Sequence, residues 1–287
     1  MRQQRPRPAL RYHGGKWKLA PWIIGHFPQH RVYVEPFGGG CSVLLRKPRS
    51  HAEVYNDLAD DIVAFFRVLR NPEQAARLIE LLRLTPFARL ELEGAYEQTD
   101  DPVERARRVL VRSFMGFGSA SAICDHATGF RANSSKSGTT PARDWAHFPD
   151  ALAMTVERLA GVVIEHRDAV ACMQQHDSQQ TLFYVDPPYV HSTRVIKRTR
   201  AGQVYEHEMD DAAHRRLAAW LHSCKSMVIL SGYRCDLYDE LYHDWQRVDT
   251  LALADGARKR TESLWINPAA MVARQVRYKR PEQRLLA

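Results

Sequence analysis

Short apolar runs alternate along this chain with stretches whose apolar residues recur at every third and fourth position. The runs occupy residues 31–35, 53–56, 161–166, 181–185 and 226–231, and each is predicted as a strand. Residues 59–70 and 210–222 carry the helical spacing between them. Strands separated by helices predict an α/β fold, a mainly parallel sheet with helices on both faces. The alternation breaks between residues 71 and 160, where no strand is evident. Residues 72–111 read as helices. Phe114-Met115-Gly116-Phe117-Gly118-Ser119 then leads into a polar, glycine-bearing loop that runs to Gly138. A loop of that length in a compact protein is usually functional or disordered. The pattern therefore predicts residues 71–160 as an inserted, mainly helical subdomain. The segments on either side, 9–70 and 161–280, form one sheet-containing domain, and residues 1–8 form a flexible basic arm.

Composition narrows the function classes. At 287 residues the chain can bury a large core, as one domain or one domain with an insertion. Its 41 Lys and Arg against 33 Asp and Glu give a net charge of +8, which favours a polyanion such as nucleic acid. A merely basic soluble protein would share that charge. No apolar run reaches the length of a membrane span, and the basic start is not followed by a signal-like apolar segment. The expectation is a cytoplasmic protein with no membrane contact and no obligate protein partner. Five cysteines (Cys41, Cys124, Cys172, Cys224 and Cys235) are scattered and form no C-x-x-C pair, which suits a reducing compartment. Cys124 and His126 are two candidate ligands and do not make a site, so no metal is expected.

The chemistry concentrates at strand ends. Asp186-Pro187-Pro188-Tyr189 follows the apolar run 181–185. Two prolines cannot continue a strand, so a rigid turn stands at its carboxyl end, where ligands bind in open α/β sheets. A carboxylate, a locked carbonyl and an aromatic ring there could grip an exocyclic aromatic amine. A strand-ending turn with an incidental acid is the plainer alternative. Glu35-Pro36-Phe37-Gly38-Gly39-Gly40 is a strand running into a glycine turn, and Asp57 follows Glu35 at the end of the next strand. An acid at that place typically holds the ribose hydroxyls of a nucleoside. The turn lacks the Gly-Lys-[Ser/Thr] ending of a phosphate loop, so a nucleoside without phosphates fits best. Asp168, after the run 161–166, could meet an adenine ring or simply cap the helix that follows. Gly14-Gly15-Lys16 could wrap a carboxylate or form an ordinary turn. His214 reads as structural, and Trp220, Trp245 and Trp265 read as core.

In this order and spacing, Arg11-Tyr12-His13-Gly14-Gly15-Lys16, Glu35 to Gly40, Asn56-Asp57-Leu58 and Asp186 to Tyr189 resemble the DNA adenine-N6 methyltransferases of the Dam type, especially those of phages and prophages. Ser231-Gly232-Tyr233 and residues 260–268 extend the resemblance over nearly the whole chain. It implies a Rossmann-like sheet, S-adenosylmethionine as cofactor, double-stranded DNA as partner, and residues 71–160 as the target-recognition subdomain. The cofactor-binding set it implies is Tyr12, Gly15, Lys16, Glu35, Phe37, Gly38, Gly39, Asp57, Asp168 and Asp186. Asp186, Pro187 and Tyr189 are the implied catalytic residues. Cys41 departs from the family pattern, standing where a final glycine is common, and this bears on the turn's geometry. Arg112, Arg131, Asn133, Ser135 and Lys136, in or near the insertion, suit phosphate and base-edge contacts, and Arg194, Lys197, Arg198 and Arg200 could clamp the backbone. Methylation of RNA or of protein glutamine is the alternative chemistry. Glutamine enzymes usually carry Asn where this chain has Asp186, and lack the long insertion. A catalytically inactive DNA-binding relative is the non-enzymatic alternative.

Overall fold

The computed structural model describes residues 7–122, 128–133, 139–193, 207–253 and 259–278. Among these residues seven strands form one sheet: β1 (Val32–Glu35), β2 (Ala52–Asn56), β3 (Val162–Glu165), β4 (Thr181–Val185), β5 (Met227–Gly232), β6 (Gln246–Leu253) and β7 (Lys259–Ile266), in the order β3-β2-β1-β4-β5-β7-β6. The first five are parallel, with Val34 opposite both Val54 and Phe183. They lie within one residue of the five runs read from the sequence. The antiparallel pair β6–β7, with β7 against β5, was not expected from the pattern.

The helices are α1 (Ala20–Gly25), α2 (Ser42–Arg46), α3 (Asp60–Arg70), α4 (Pro72–Leu84), α5 (Arg89–Gly94), α6 (Pro102–Met115), α7 (Pro141–Ala146), α8 (Phe148–Leu159), α9 (Ala169–Gln175), α10 (Asp211–Ser223), α11 (Asp236–Leu241) and α12 (Pro268–Tyr278). Their starts are written locally. Asn71, Asp101 and Thr140 each cap a helix whose first residue is proline, and Asp210 caps α10. Among the described residues no helix is long and apolar enough to cross a membrane.

Side-chain alternation divides the core. Tyr33, Tyr55, Leu182 and Tyr184 face a cluster with α3, α4, α6 and α8, while Val34, Val54, Phe183 and Val185 face one with α9, α10 and α11. The helices between α3 and β3 therefore share a core with the sheet. Leu78, Leu82, Val109, Leu110, Leu152 and Leu159 are all buried in the cluster that holds Tyr33 and Tyr55. Asp61 on α3 adds ion pairs to Arg105 (2.6 Å) and Arg112 on α6. Trp245 and Trp265 are buried and Trp220 is half-buried against the second cluster, while His214 is buried beside Tyr238.

Candidate active site

The chain order reverses between β1 and β4, and a cleft of about 270 Å³ opens at the carboxyl ends of these strands. This is where an open α/β sheet places its ligand. Tyr12, Gly15, Lys16, Glu35, Phe37, Gly38, Gly39, Asp57, Asp168, Asp186 and Pro187 all line it. Residues from four separate strand ends and from the amino-terminal segment thus meet in one place. Tyr189 stands beside it, under the Lys16 ammonium, which is 4.8 Å from the ring centroid.

The turn after β1 is fitted to its neighbours. The Gly38 N–H donates to the Asn56 carbonyl at 2.8 Å, and a Cβ on Gly38 would come within 2.1 Å of the Tyr55 ring. Gly39 has φ of +46°, and a Cβ there would meet the Tyr12 ring at 2.8 Å. Asp57 holds the turn from β2. Its carboxylate accepts from the N–H groups of Gly39 (2.7 Å) and Ala59 (2.8 Å), which leaves further lone pairs towards the cleft. Burial raises the pKa of Asp57. Burial also raises Glu35, to about 7, against the hydrogen bond it accepts from Tyr33 at 2.7 Å. Asp168 performs the capping role, accepting from the Ala171 N–H at 2.9 Å, and also lines the cleft.

Asp186 is gripped at both oxygens. Oδ1 accepts from the Ser231 hydroxyl at 2.5 Å, which itself accepts from Tyr184 at 3.3 Å. Oδ2 lies 3.0 Å from Lys16 Nζ, which also donates to the Gly14 carbonyl at 2.8 Å. Ser231, Tyr184 and Glu262, which accepts from the Tyr189 hydroxyl at 2.9 Å, carried no role in the sequence reading. Their partners are distant in the chain, and only the resemblance around residues 231–233 and 260–268 marked their neighbourhoods. His207, Glu208, Met209 and Arg216 also line the cleft unforeseen, and His207 Nε2 lies 3.1 Å from the Leu58 carbonyl.

The residues expected to touch nucleic acid are placed unevenly. The Arg112 guanidinium is engaged with Asp61 inside the helical layer and mostly buried. Arg131 and Asn133 follow a short antiparallel ribbon in which Gly116 pairs with Phe130 and the Phe117 N–H donates to Gly129 at 2.7 Å. Phe117 on that ribbon is 73% exposed. Ser135, Lys136, Arg194, Lys197, Arg198 and Arg200 lie outside the described residues, as do Cys124 and His126. Among the described residues no group of three His, Cys, Asp or Glu side chains could hold a metal ion.

Residues 12–253 match the family described as D12 class N6 adenine-specific DNA methyltransferase. The chain belongs to this methyltransferase family. The region matched contains the glycine turn, Asp57, the Asp-Pro-Pro-Tyr turn and all the helices between α3 and β3. The chain is also similar to the proteins named DNA adenine methylase in two strains of Vibrio cholerae serotype O1. To each it is 25% identical over 195 residues, which cover 65% of this chain and 66% of the relative, just under two thirds of that relative's length. The seven-stranded mixed α/β sheet agrees with a methyltransferase fold.

Proposed function

We propose that this protein methylates the exocyclic N6 amine of adenine in double-stranded DNA, using S-adenosylmethionine. The observation that carries the reading is the convergence of Asp57, the glycine turn and Asp186 on one cleft in a member of this family. The cleft suits the cofactor by its own chemistry. Glu35, Asp57 and Asp186 offer carboxylates to a ligand that carries a sulfonium and an ammonium, and a bound cation favours the ionised form of Glu35. The Tyr55 and Tyr12 rings leave no space for side chains at Gly38 and Gly39, and both glycines offer bare backbone to the cleft they line. Tyr12, Lys16, Asp57 and Asp168 would hold it with the turn.

When bound, the cofactor would supply an electrophilic methyl group and leave as the neutral thioether, while the methylated amine gives up one proton. The difficulty lies in the nucleophile, since adenine N6 shares its lone pair with the ring. Asp186 and the Pro187 carbonyl accept the two N6 hydrogens, which draws the nitrogen towards tetrahedral geometry and frees the lone pair. Tyr189 stacks on the base. Ser231 and Lys16 fix the Asp186 carboxylate in place. The amine cannot be reached inside a duplex, so the base is everted, at a cost of about a few kcal/mol. In this reading residues 71–160 carry much of the DNA contact. Arg131, Asn133 and the exposed Phe117 ring stand on the ribbon side, and the basic residues from 194 to 200 follow the turn in the sequence.

Labelled methyl transfer to duplex DNA, compared with RNA and protein, tests the substrate. Sequencing that reports N6-methyladenine in DNA of expressing cells identifies the target. Asp186→Ala is expected to abolish transfer while leaving the fold intact, because the residue is a partly exposed cleft side chain. An active Asp186→Ala protein would refute the assignment.

A further inference from the structure

Tyr189 is held by its hydroxyl. The donation to Glu262 at 2.9 Å joins two buried side chains 73 residues apart. Burial, with the nearby carboxylates of Asp186 and Glu262, pushes the phenol pKa well above its ordinary value, so the hydroxyl stays a donor. Glu262 reaches the turn from β7. Two residues earlier on β7, the Arg260 guanidinium lies 5.1 Å over the Tyr233 ring and donates to the Thr193 carbonyl at 3.4 Å. Tyr233 meets Tyr189 edge to face, with centroids 4.6 Å apart. The Tyr189 ring is therefore anchored at its hydroxyl and packed against Tyr233.

The plane so fixed matters because of where it points. Lys16 Nζ is 3.0 Å from Asp186 Oδ2 and also stands over the Tyr189 ring. One ammonium reports that the carboxylate and the ring face look onto a single spot. An aromatic amine that stacks on Tyr189 and donates to Asp186 therefore binds alongside Lys16. A ring free to tilt would carry the stacked base away from the carboxylate, and positioning errors of that kind are costly in rate.

We propose that Glu262 is a positioning residue for methyl transfer: by accepting from Tyr189 it sets the plane against which the target base stacks, and hence the approach of the amine to Asp186. The inference rests on the adenine-methylation reading and adds to it a residue that touches neither cofactor nor base.

The test uses the full chain with duplex DNA and S-adenosylmethionine, following kcat, the KM for DNA, cofactor affinity and melting temperature. Glu262→Leu removes the acceptor and is expected to lower kcat about 10- to 100-fold with cofactor affinity unchanged. Glu262→Gln keeps an acceptor and should stay within about threefold of the wild type. Tyr189→Phe removes only the hydroxyl and should match Glu262→Leu, and the double variant should be no slower than the slower single one. An everted 2-aminopurine in the target position, quenched by stacking in the wild type, should be brighter in either single variant. Tyr189→Phe carries the test if Glu262→Leu fails to fold. Wild-type kcat in Tyr189→Phe, or losses that multiply in the double variant, would overturn the role of Glu262. A wild-type protein that leaves adenine in DNA unmethylated would remove the reading beneath it.

Discussion

Cys41 is the single non-glycine residue with positive φ among the described residues, at φ 56° and ψ 29°. It is fully buried, its N–H donates to the Gly38 carbonyl at 2.8 Å, and α2 begins immediately after it. The left-handed conformation costs an L-residue about 1–2 kcal/mol, against which the packing of a small thiol counts. The departure from glycine visible in the sequence thus falls where the backbone most favours glycine. Cys41→Gly should leave stability within about 1 kcal/mol, strain relief offsetting lost packing. Cys41→Val should destabilise by about 2 kcal/mol or more, since a branched Cβ fits that region poorly. Thermal melts check both, and the valine variant should also weaken cofactor binding, because the strained residue closes the turn that lines the cleft. Wild-type stability in Cys41→Val would show that the left-handed turn is not what the folded protein adopts.

At the scale of elements, a buried ion cluster ties α8 to the sheet. Glu53 on β2 accepts from Lys47 at 2.6 Å and from Arg158 on α8 at 2.7 and 3.0 Å, and Arg158 also donates to the Leu44 carbonyl at 2.6 Å. Burial opposes the Glu53 charge, but the hydrogen bonds from Arg158 and Lys47 overcome it and hold the pKa below the ordinary 4.5. A depressed carboxylate adds stability that is present above its unfolded pKa and lost as pH falls through the folded one. Glu53→Gln should therefore cost about 3 kcal/mol at pH 7, the buried Lys47 and the half-buried Arg158 being left short of a partner. The gap to wild type in denaturant melts should shrink below pH 4.5. A gap that does not change with pH would show that the charge of Glu53 is not what holds α8. None of this cluster was legible in the sequence, where Lys47, Glu53 and Arg158 look like surface charges. The parallel strands were legible because their runs are apolar on both faces, as in the wholly buried β4. β7 was not, for the opposite reason. Glu262 and Ser263 are buried in it, and their polarity hides a strand whose partners are Tyr189 and the neighbouring β5.

Across the whole molecule, the cleft differs in charge from the chain that holds it. The net charge is +8, yet the cleft is lined by Glu35, Asp57, Asp168, Asp186 and Glu208 against Lys16 and Arg216 among the described residues. The positive surplus therefore lies elsewhere on the chain, and a cationic nucleoside and a polyanion need not compete for the same field. The motifs of the cleft were legible in order and spacing, since each sits at a strand end. The residues that read DNA were not, because a basic side chain in a loop looks the same whether it meets phosphate or water. Salt separates the two ligands. DNA affinity should fall steeply with salt, with a slope in log–log terms of about −0.9 for each phosphate neutralised. Cofactor binding in the partly buried cleft should change less over the same range. Reversing charge at Lys197, Arg198 and Arg200 together should reduce the DNA slope by about 2–3 and leave cofactor affinity as it was. Fluorescence anisotropy with a labelled duplex, beside calorimetry with the cofactor, measures both. An unchanged DNA slope would remove Lys197, Arg198 and Arg200 from the interface.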